Sequence, residues 1–312
     1  MRPYILPMLA AVLLALVPLV VEDSYTRHLF IVAFVYAIIA SNWDLSLGYA
    51  GLFNFGHLGF FATGVYTAAI AAKTLAITPW LAMPLGGVTA ALAALLIAAP
   101  VARLRGIYVV LVTFAFAQLM LQLILSQSHI TGGAGGMVGI PGLEIGEYRF
   151  IRDRKLGYYH VSLGLLVLST IHLLFLTKSS FGRSLLALRD NEDYARARGV
   201  SIARQRVMAL VLSAVFPGVA GGFFAIYLRV AAPEVLGFGT LSLALSMVLI
   251  GGSASIFGPI LAAIALTFAT EAMAGIRGME EARFVVVAIG MVLVLRFAPG
   301  GMIRIMDGGG KR

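Results

Sequence analysis

The sequence predicts an all-α, polytopic integral membrane protein with about ten transmembrane helices and discontinuous segments among them. Apolar residues make up 60% of the 312-residue chain, and the mean hydropathy is +0.96, well outside the range of soluble globular domains. The basic residues lie at the ends of apolar stretches. This distribution is typical of the loops that flank membrane spans.

Ten apolar stretches of the chain are candidates for membrane spans, because a helix needs roughly 20 residues to cross a hydrocarbon core of about 30 Å. The third is rich in glycine and polar atoms, and the eighth is short. We expect the first to be retained as a span, since no small-residue cleavage site followed by a soluble domain is evident. Together they predict a single transmembrane domain over residues 1–312, with spans near 4–21, 29–48, 53–72, 80–100, 107–127, 159–177, 207–228, 239–252, 256–274 and 283–298.

The charged segment 178–206 orients the chain, because short connections rich in Lys and Arg face the cytoplasm. It carries seven basic and three acidic residues. With this segment inside, 14 of the 23 basic residues lie inside and Asp44 is left within a span. Both termini are then cytoplasmic, with a tail over 299–312 and a turn-rich outside loop over 128–158. No nucleic-acid partner is expected, since the basic residues form no soluble patch interleaved with aromatics.

Composition and spacing also argue against several chemistries. The chain has no Cys, which excludes disulfides and thiol-based redox or metal sites. Its five His residues are dispersed without the spacing of metal ligands, so we expect neither a metal nor a cofactor. No phosphate-binding GxxxxGKS/T loop is present, and no nucleophile, base and orienting acid fall together. A membrane-embedded enzyme is therefore an alternative without support.

Helix-breaking residues fall at two corresponding places, at 47–57 between the second and third spans and at 250–259 between the eighth and ninth. Irregular backbone at membrane depth is tolerated only where protein or a wet cavity surrounds it, and paired interruptions often point to a translocation pathway. The alternative is two tight cytoplasmic turns whose small residues let helices pack closely. On the pathway interpretation, the lining residues are Gly48, Gly51, Asn54, Gly56, His57, Gly251 and Gly252.

Other ionisable residues in the spans receive less specific roles. We expect Asp44 at the membrane interface, since a charge deep in lipid costs several kcal/mol unless it is paired or hydrated. For His57 the alternative to a pathway role is a hydrogen bond to a neighbour. We expect His172 and Glu271 to be interfacial or packing residues.

Within 178–206 the residue order predicts a short helix of about two turns. Asp190 is placed as its N-cap with Asp193 three positions later, where both can accept hydrogen bonds from unpaired N–H groups. Gly199 is placed as its C′ stop. A capped helix is a rigid surface through which another protein can transmit a movement. The alternative is a solvated loop that contacts anionic lipid.

Five groups of motifs, in a fixed order, carry a resemblance to a known family. They are GYAG at 48–51 with NFGH at 54–57, RGIY at 105–108, TGG at 131–133 with GIP at 139–141, SFGR at 180–183 with LRDNE at 188–192, and LIGG at 249–252 with FGP at 257–259. Together they resemble the permease family of ATP-binding-cassette importers for branched-chain amino acids, of the LivM type. The resemblance runs over roughly residues 35–300, and its specificity comes from the order of the motifs.

The resemblance implies an importer in a bacterial inner membrane, built from two dissimilar permease subunits, two cytoplasmic ATPase subunits and an outside (periplasmic) solute-binding protein. The implied substrate is a branched-chain or related amino acid, although related permeases serve urea and short amides. Segment 191–198 is similar to the helix that docks on the ATPase, but Glu-Asp-Tyr-Ala stands at 192–195 where the wider motif favours Glu-Ala-Ala. The implied coupling residues are Arg189, Asp190, Asn191, Glu192, Asp193, Ala195 and Gly199. An ion-coupled secondary transporter is the remaining alternative.

Overall fold

The computed structural model describes residues 5–150, 155–274 and 282–297, and most of the regular structure within them is helical. The α-helices are α1 (Ile5–Val20), α2 (Ser24–Asp44), α3 (His57–Lys73), α4 (Pro79–Val101), α5 (Ile107–Ser126), α6 (Ser128–Thr131), α7 (Leu156–Lys178), α8 (Ser180–Asp190), α9 (Glu192–Ala197), α10 (Ile202–Leu228), α11 (Phe238–Gly251), α12 (Phe257–Ala274) and α13 (Ala282–Phe297).

Six helices in these ranges are long and apolar enough to cross a membrane. They are α2 with its extension to Tyr49, α4, α5, α7, α10 and α12. Helix α3 begins at His57 rather than near 53, because the backbone leaves the helical conformation before it, at Gly51, where φ is +66°. The all-α membrane fold is thus confirmed, whereas the number of ten spans is not. The predicted tail 299–312 lies outside the described residues.

Helix α10 packs against α3 and α4 at glycines that bring the three backbones together. A Cβ atom on Gly86 would lie 2.8 Å from the carbonyl oxygen of Gly218 and 3.0 Å from that of Gly64. Small residues at such crossings allow membrane helices to approach closely. Helix α2 packs against α7, α10 and α12, and its second half is buried. These contacts place the end of α2 inside the bundle.

Within the described ranges, four two-residue strands form two small antiparallel pairs. Strand β1 (Met137–Val138) pairs with β4 (Val230–Ala231), and β2 (Glu144–Ile145) pairs with β3 (Tyr148–Arg149). The carbonyl oxygen of Arg229 also accepts hydrogen bonds from the N–H groups of Gly139 at 3.0 Å and Ile140 at 3.2 Å. The described part of the loop 128–158 is therefore ordered against the end of α10.

Candidate functional site

The two helix interruptions, far apart in sequence, meet through the side chain of Asp44. This residue ends α2 and is fully buried within the chain. Its two carboxyl oxygens accept hydrogen bonds from the backbone N–H groups of Ala254 at 3.1 Å and Ser255 at 2.9 Å, which lie between α11 and α12. Asp44 is therefore a buried link between the interruptions, and its expected place at the level of the membrane interface stays a prediction. We call this contact the junction.

Glycines let both backbones approach the junction. Gly48 lies in a π-helical turn, Leu45–Tyr49, that continues α2, and a Cβ atom there would overlap the side chain of Asp44. Gly251, at the end of α11, lies against Gly258 in α12, where a Cβ atom would lie 2.6 Å from the Gly258 carbonyl oxygen. A Cβ atom on Gly48 would also lie 2.3 Å from the backbone nitrogen of Ala254, so a larger residue there would separate the two interruptions. A larger residue at Gly251 would separate α11 from α12.

The other glycines predicted to line a pathway have local roles in the structure. Gly51 and Gly252 have φ angles of +66° and +101°, in the range that favours glycine. Gly56 precedes α3, and a Cβ atom there would lie 2.5 Å from the carbonyl oxygen of Thr113 in α5. The geometry at Gly56 thus favours close helix packing, and a pathway role for these glycines stays a prediction.

Next to the junction lie three fully buried polar side chains, Trp43, Asn54 and His57. The rings of Trp43 and His57 stack, with centroids 5.4 Å apart. The indole Nε1, both ring nitrogens of His57 and the amide Nδ2 of Asn54 have no hydrogen-bond partner in the described parts of the chain. Each buried polar atom left unpaired costs about 1–3 kcal/mol, so a cluster of them calls for a functional explanation.

The short helix predicted in the charged segment is present as α9, but it begins later than predicted. Asp190 is the last residue of α8, so its assignment as the N-cap is wrong. The N-cap is Asn191, whose backbone is extended and whose side-chain oxygen accepts a hydrogen bond from the N–H of Tyr194 at 2.9 Å. Asp190 and Asn191 can both cap a helix. Because α8 continues through Asp190, the cap of α9 falls on Asn191. Glu192 and Asp193 occupy the first turn of α9, where acids are favourable.

Helix α9 ends at Ala197, and Gly199 stops it from the C′ position, as predicted. Gly199 has a φ of +81°, and its N–H donates to the carbonyl oxygen of Arg196 at 2.9 Å. The N–H of Val200 donates to the carbonyl oxygen of Ala195 at 3.0 Å. These two bonds form a Schellman motif, which satisfies carbonyl groups that a helix end leaves unpaired.

Glu192 attaches the start of α9 to the rest of the protein. Its carboxylate pairs with Arg105 at 2.9 Å and with Arg206 at 3.2 Å. Arg206 in turn donates to the carbonyl oxygen of Leu104 at 2.7 Å. Sequence reasoning did not identify either arginine as a partner. Arg105 lies on the α4–α5 connection, far from α9 in sequence, and Arg206 lies on the next helix, α10, whose direction relative to α9 the sequence does not give.

Arg189 connects the charged segment directly to the first interruption. Its guanidinium donates to the carbonyl oxygen of Gly48 at 2.9 Å and pairs with Asp190 at 3.0 Å. Its side chain covers Gly51, where a Cβ atom would lie 3.0 Å from the Arg189 Cγ. The segment predicted to receive a partner therefore contacts the residues predicted to line a pathway.

The remaining face of α9 is exposed. Tyr194 is 57% exposed, and the side chain of Asp193 is 86% exposed. Arg198 donates to the hydroxyl of Tyr194 at 2.8 Å, which holds both side chains on one surface, whereas Ala195 is buried. Helix α9 thus has an inner face that contacts this chain and an outer face that is open to a partner.

A bundle of membrane-length helices, two broken helices joined at a buried carboxyl group and a docked charged helix are the features of a membrane transport permease. The comparison of sequences agrees with this class. Residues 25–295 match the family described as branched-chain amino acid transport system, permease component. The chain belongs to this family.

Individual proteins similar to this chain are also named as branched-chain amino acid transport permeases. The chain is 32% identical over 290 residues to the high-affinity branched-chain amino acid transport system permease protein LivM of Escherichia coli K12, and equally to that of Salmonella typhimurium LT2, with 86% of this chain and 68% of each relative covered. It is 24% identical over 234 residues to a probable branched-chain amino acid transport permease protein LivM of Methanocaldococcus jannaschii, which covers 62% of this chain and 65% of that relative. No solved structure matches.

Proposed function

We propose that this chain is one of two dissimilar membrane subunits of an ATP-binding-cassette importer that carries branched-chain or related amino acids. Its family and the names of its relatives support this substrate class. The chain acts as a single transmembrane permease domain of a bacterial inner membrane, with segment 178–206 and both termini in the cytoplasm. The excess of Lys and Arg on that side supports the orientation.

The partners are a second permease subunit, two cytoplasmic ATPase subunits and a periplasmic solute-binding protein. The sequence has no GxxxxGKS/T loop, which supports ATP hydrolysis on separate subunits. We assign the ATPase contact to the outer face of α9, with Asp193, Tyr194 and Arg198. The inner face of α9 then passes a movement of the ATPase to this chain.

The observation that carries the proposal is a series of direct contacts from the charged segment to both interruptions. Arg189, at the end of α8, donates to the carbonyl oxygen of Gly48 at 2.9 Å. Gly48 packs on Asp44, whose carboxyl group holds the N–H of Ala254 at 3.1 Å. A displacement of α8 and α9 therefore reaches both broken helices without an intervening flexible segment.

We assign the junction to the cytoplasmic gate of the pathway, in its closed state. Asn54 and His57 are buried beside it with unpaired polar atoms, and water or solute would pair with these atoms once the interruptions separate. Discontinuous helices expose such groups to the solute in many transporters. The gate residues are then Trp43 and Asp44 together with those that the sequence predicts for the pathway, apart from Gly56, whose geometry favours helix packing.

The test is transport by the purified complex in proteoliposomes. We expect uptake of radiolabelled L-leucine to require ATP, the ATPase subunits and the solute-binding protein. Proton-driven uptake by this chain alone would contradict the proposal in favour of an ion-coupled transporter. Uptake of urea but not of leucine would contradict the amino-acid assignment.

A further inference from the structure

A polar cavity of about 220 Å³ lies between α2, α11 and α12, away from the junction. His28 on its wall precedes Asp44 by 16 residues on α2, which corresponds to about 24 Å along the helix. The cavity therefore lies near the end of α2 that is opposite to the charged segment. It is lined by His28, Leu29, Val32, Tyr36, Thr240, Leu243, Thr267, Thr270 and Glu271.

The polar part of the wall offers one acid and several hydroxyl groups. Glu271 accepts a hydrogen bond from the hydroxyl of Tyr25 through one carboxyl oxygen. Thr267 is only 6% exposed, and its hydroxyl has no hydrogen-bond partner in the described parts of the chain. His28 is held in place by a hydrogen bond of 2.6 Å between its Nδ1 and the hydroxyl of Tyr227. A buried hydroxyl left unpaired beside a carboxylate is an arrangement suited to a polar ligand.

The opposite part of the wall is apolar, with Leu29 and Val32 on α2 and Leu243 on α11. The cavity volume of about 220 Å³ is far more than one water molecule needs. This space is large enough for one small amino acid. Acidic, hydroxyl and apolar groups thus meet in one cavity of the appropriate size.

We propose that this cavity binds a zwitterionic amino acid with an apolar side chain on its way to the gate. Its α-ammonium group binds Glu271 in a charge-assisted hydrogen bond, its carboxylate accepts a hydrogen bond from Thr267, and its side chain packs on Leu29 and Val32. The inference rests on the proposed function and adds the place where the solute is held. A site at one end of α2 and a closed gate at the other match the alternating access of transporters.

The first test is equilibrium binding of radiolabelled L-leucine to the purified complex without its solute-binding protein. Glu271→Gln keeps the size of the side chain and an acceptor for Tyr25 but removes the charge. We expect it to weaken leucine binding at least about tenfold, with the complex still assembled.

The matched control is Tyr25→Phe, which removes the hydrogen bond to Glu271 and leaves its charge. We expect this variant to retain most of the leucine binding. Equal losses of leucine binding in the two variants would show that binding depends on the Tyr25–Glu271 contact between α2 and α12 rather than on the charge of Glu271. That result would overturn the proposal. So would binding of urea in preference to leucine by the unchanged complex.

A second test uses the absence of native Cys. Leucine should slow the reaction of a Thr240→Cys variant with a small thiol reagent, because Thr240 lines the cavity. It should not slow the reaction of a Ser128→Cys variant, which is exposed outside the cavity. Equal rates with and without leucine at both positions would contradict a site here.

The outcomes separate this inference from the proposed function. If the complete importer takes up leucine and Glu271→Gln changes neither binding nor uptake, the cavity is not the site while the importer assignment stands. If the unchanged importer takes up no amino acid at all, the proposed function itself fails.

Discussion

Replacing Asp44 with Ala removes both acceptors that hold the second interruption against the first. The N–H groups of Ala254 and Ser255 would lose bonds of 3.1 and 2.9 Å, both partly buried. Each unpaired buried group costs about 1–3 kcal/mol, and partial burial places the sum for both at about 2–4 kcal/mol. Asp44→Asn keeps one acceptor oxygen, so the free energy that holds the junction closed should fall by about half as much as in Asp44→Ala. Since 1.4 kcal/mol is a tenfold change in an equilibrium, even Asn should shift the junction towards its open state.

The assay compares ATP hydrolysis and leucine uptake by the reconstituted complex. We expect Asp44→Ala to hydrolyse ATP without solute-loaded binding protein and to import less leucine per ATP, with Asp44→Asn intermediate. Glu147→Gln, an exposed acid between β2 and β3, is the matched control and should behave as the unchanged complex. Full assembly with unchanged coupling in Asp44→Ala would refute this account of the junction.

Three further predictions concern the charged segment, the orientation and the helix contacts. Gly199→Val places a branched residue at a φ of +81°, at a cost of about 1–2 kcal/mol, and should displace the end of α9. The complex should then assemble but lose solute-stimulated ATP hydrolysis. Normal uptake in vesicles would contradict this prediction. Ser201→Cys should react with an impermeant maleimide only in inverted or opened vesicles. Ser128→Cys should react with the same reagent in intact spheroplasts. The reverse pattern would overturn the proposed orientation. Gly56→Leu should reduce assembly of the complex and uptake by the same factor, because the leucine side chain would collide with the backbone of Thr113. Lost uptake with full assembly would instead support a pathway role for Gly56.

The parts of the fold that sequence can predict are those set by composition and local pattern. Apolar runs predict membrane helices because length and hydropathy are local properties. Gly199 is recognisable as a helix stop because a left-handed residue favours glycine wherever it occurs. The N-cap of α9 is misplaced because Asp190 and Asn191 have similar capping ability. The number of ten spans is not confirmed because α1, α3, α11 and α13 have 16, 17, 14 and 16 residues, and helix ends depend on backbone bends such as the one at Gly51, which hydropathy does not report.

The candidate site depends on contacts between residues that are distant in sequence. Asp44 and Ser255, or Arg189 and Gly48, are separated by more than 100 positions, and no local pattern pairs them. The sequence does identify the interruptions and the charged segment, because glycine-rich breaks and charges are conspicuous among apolar spans. It cannot show that one carboxyl group and one guanidinium connect them. That connection follows only from the packing of α2 against α12 and of α8 against the π-helical turn.

The central claim is that the charged segment controls the gate through Arg189, and the most direct test is the number of leucine molecules imported per ATP hydrolysed. Arg189→Ala removes the hydrogen bond to the carbonyl oxygen of Gly48. Arg183→Ala is the matched control, since Arg183 lies on the same helix and its guanidinium donates to a nearby backbone group, the carbonyl oxygen of Lys178. We expect Arg189→Ala to hydrolyse ATP while its ratio of leucine to ATP falls severalfold, and Arg183→Ala to keep the ratio of the unchanged complex. An unchanged ratio in Arg189→Ala, with ATP hydrolysis intact, would contradict the account.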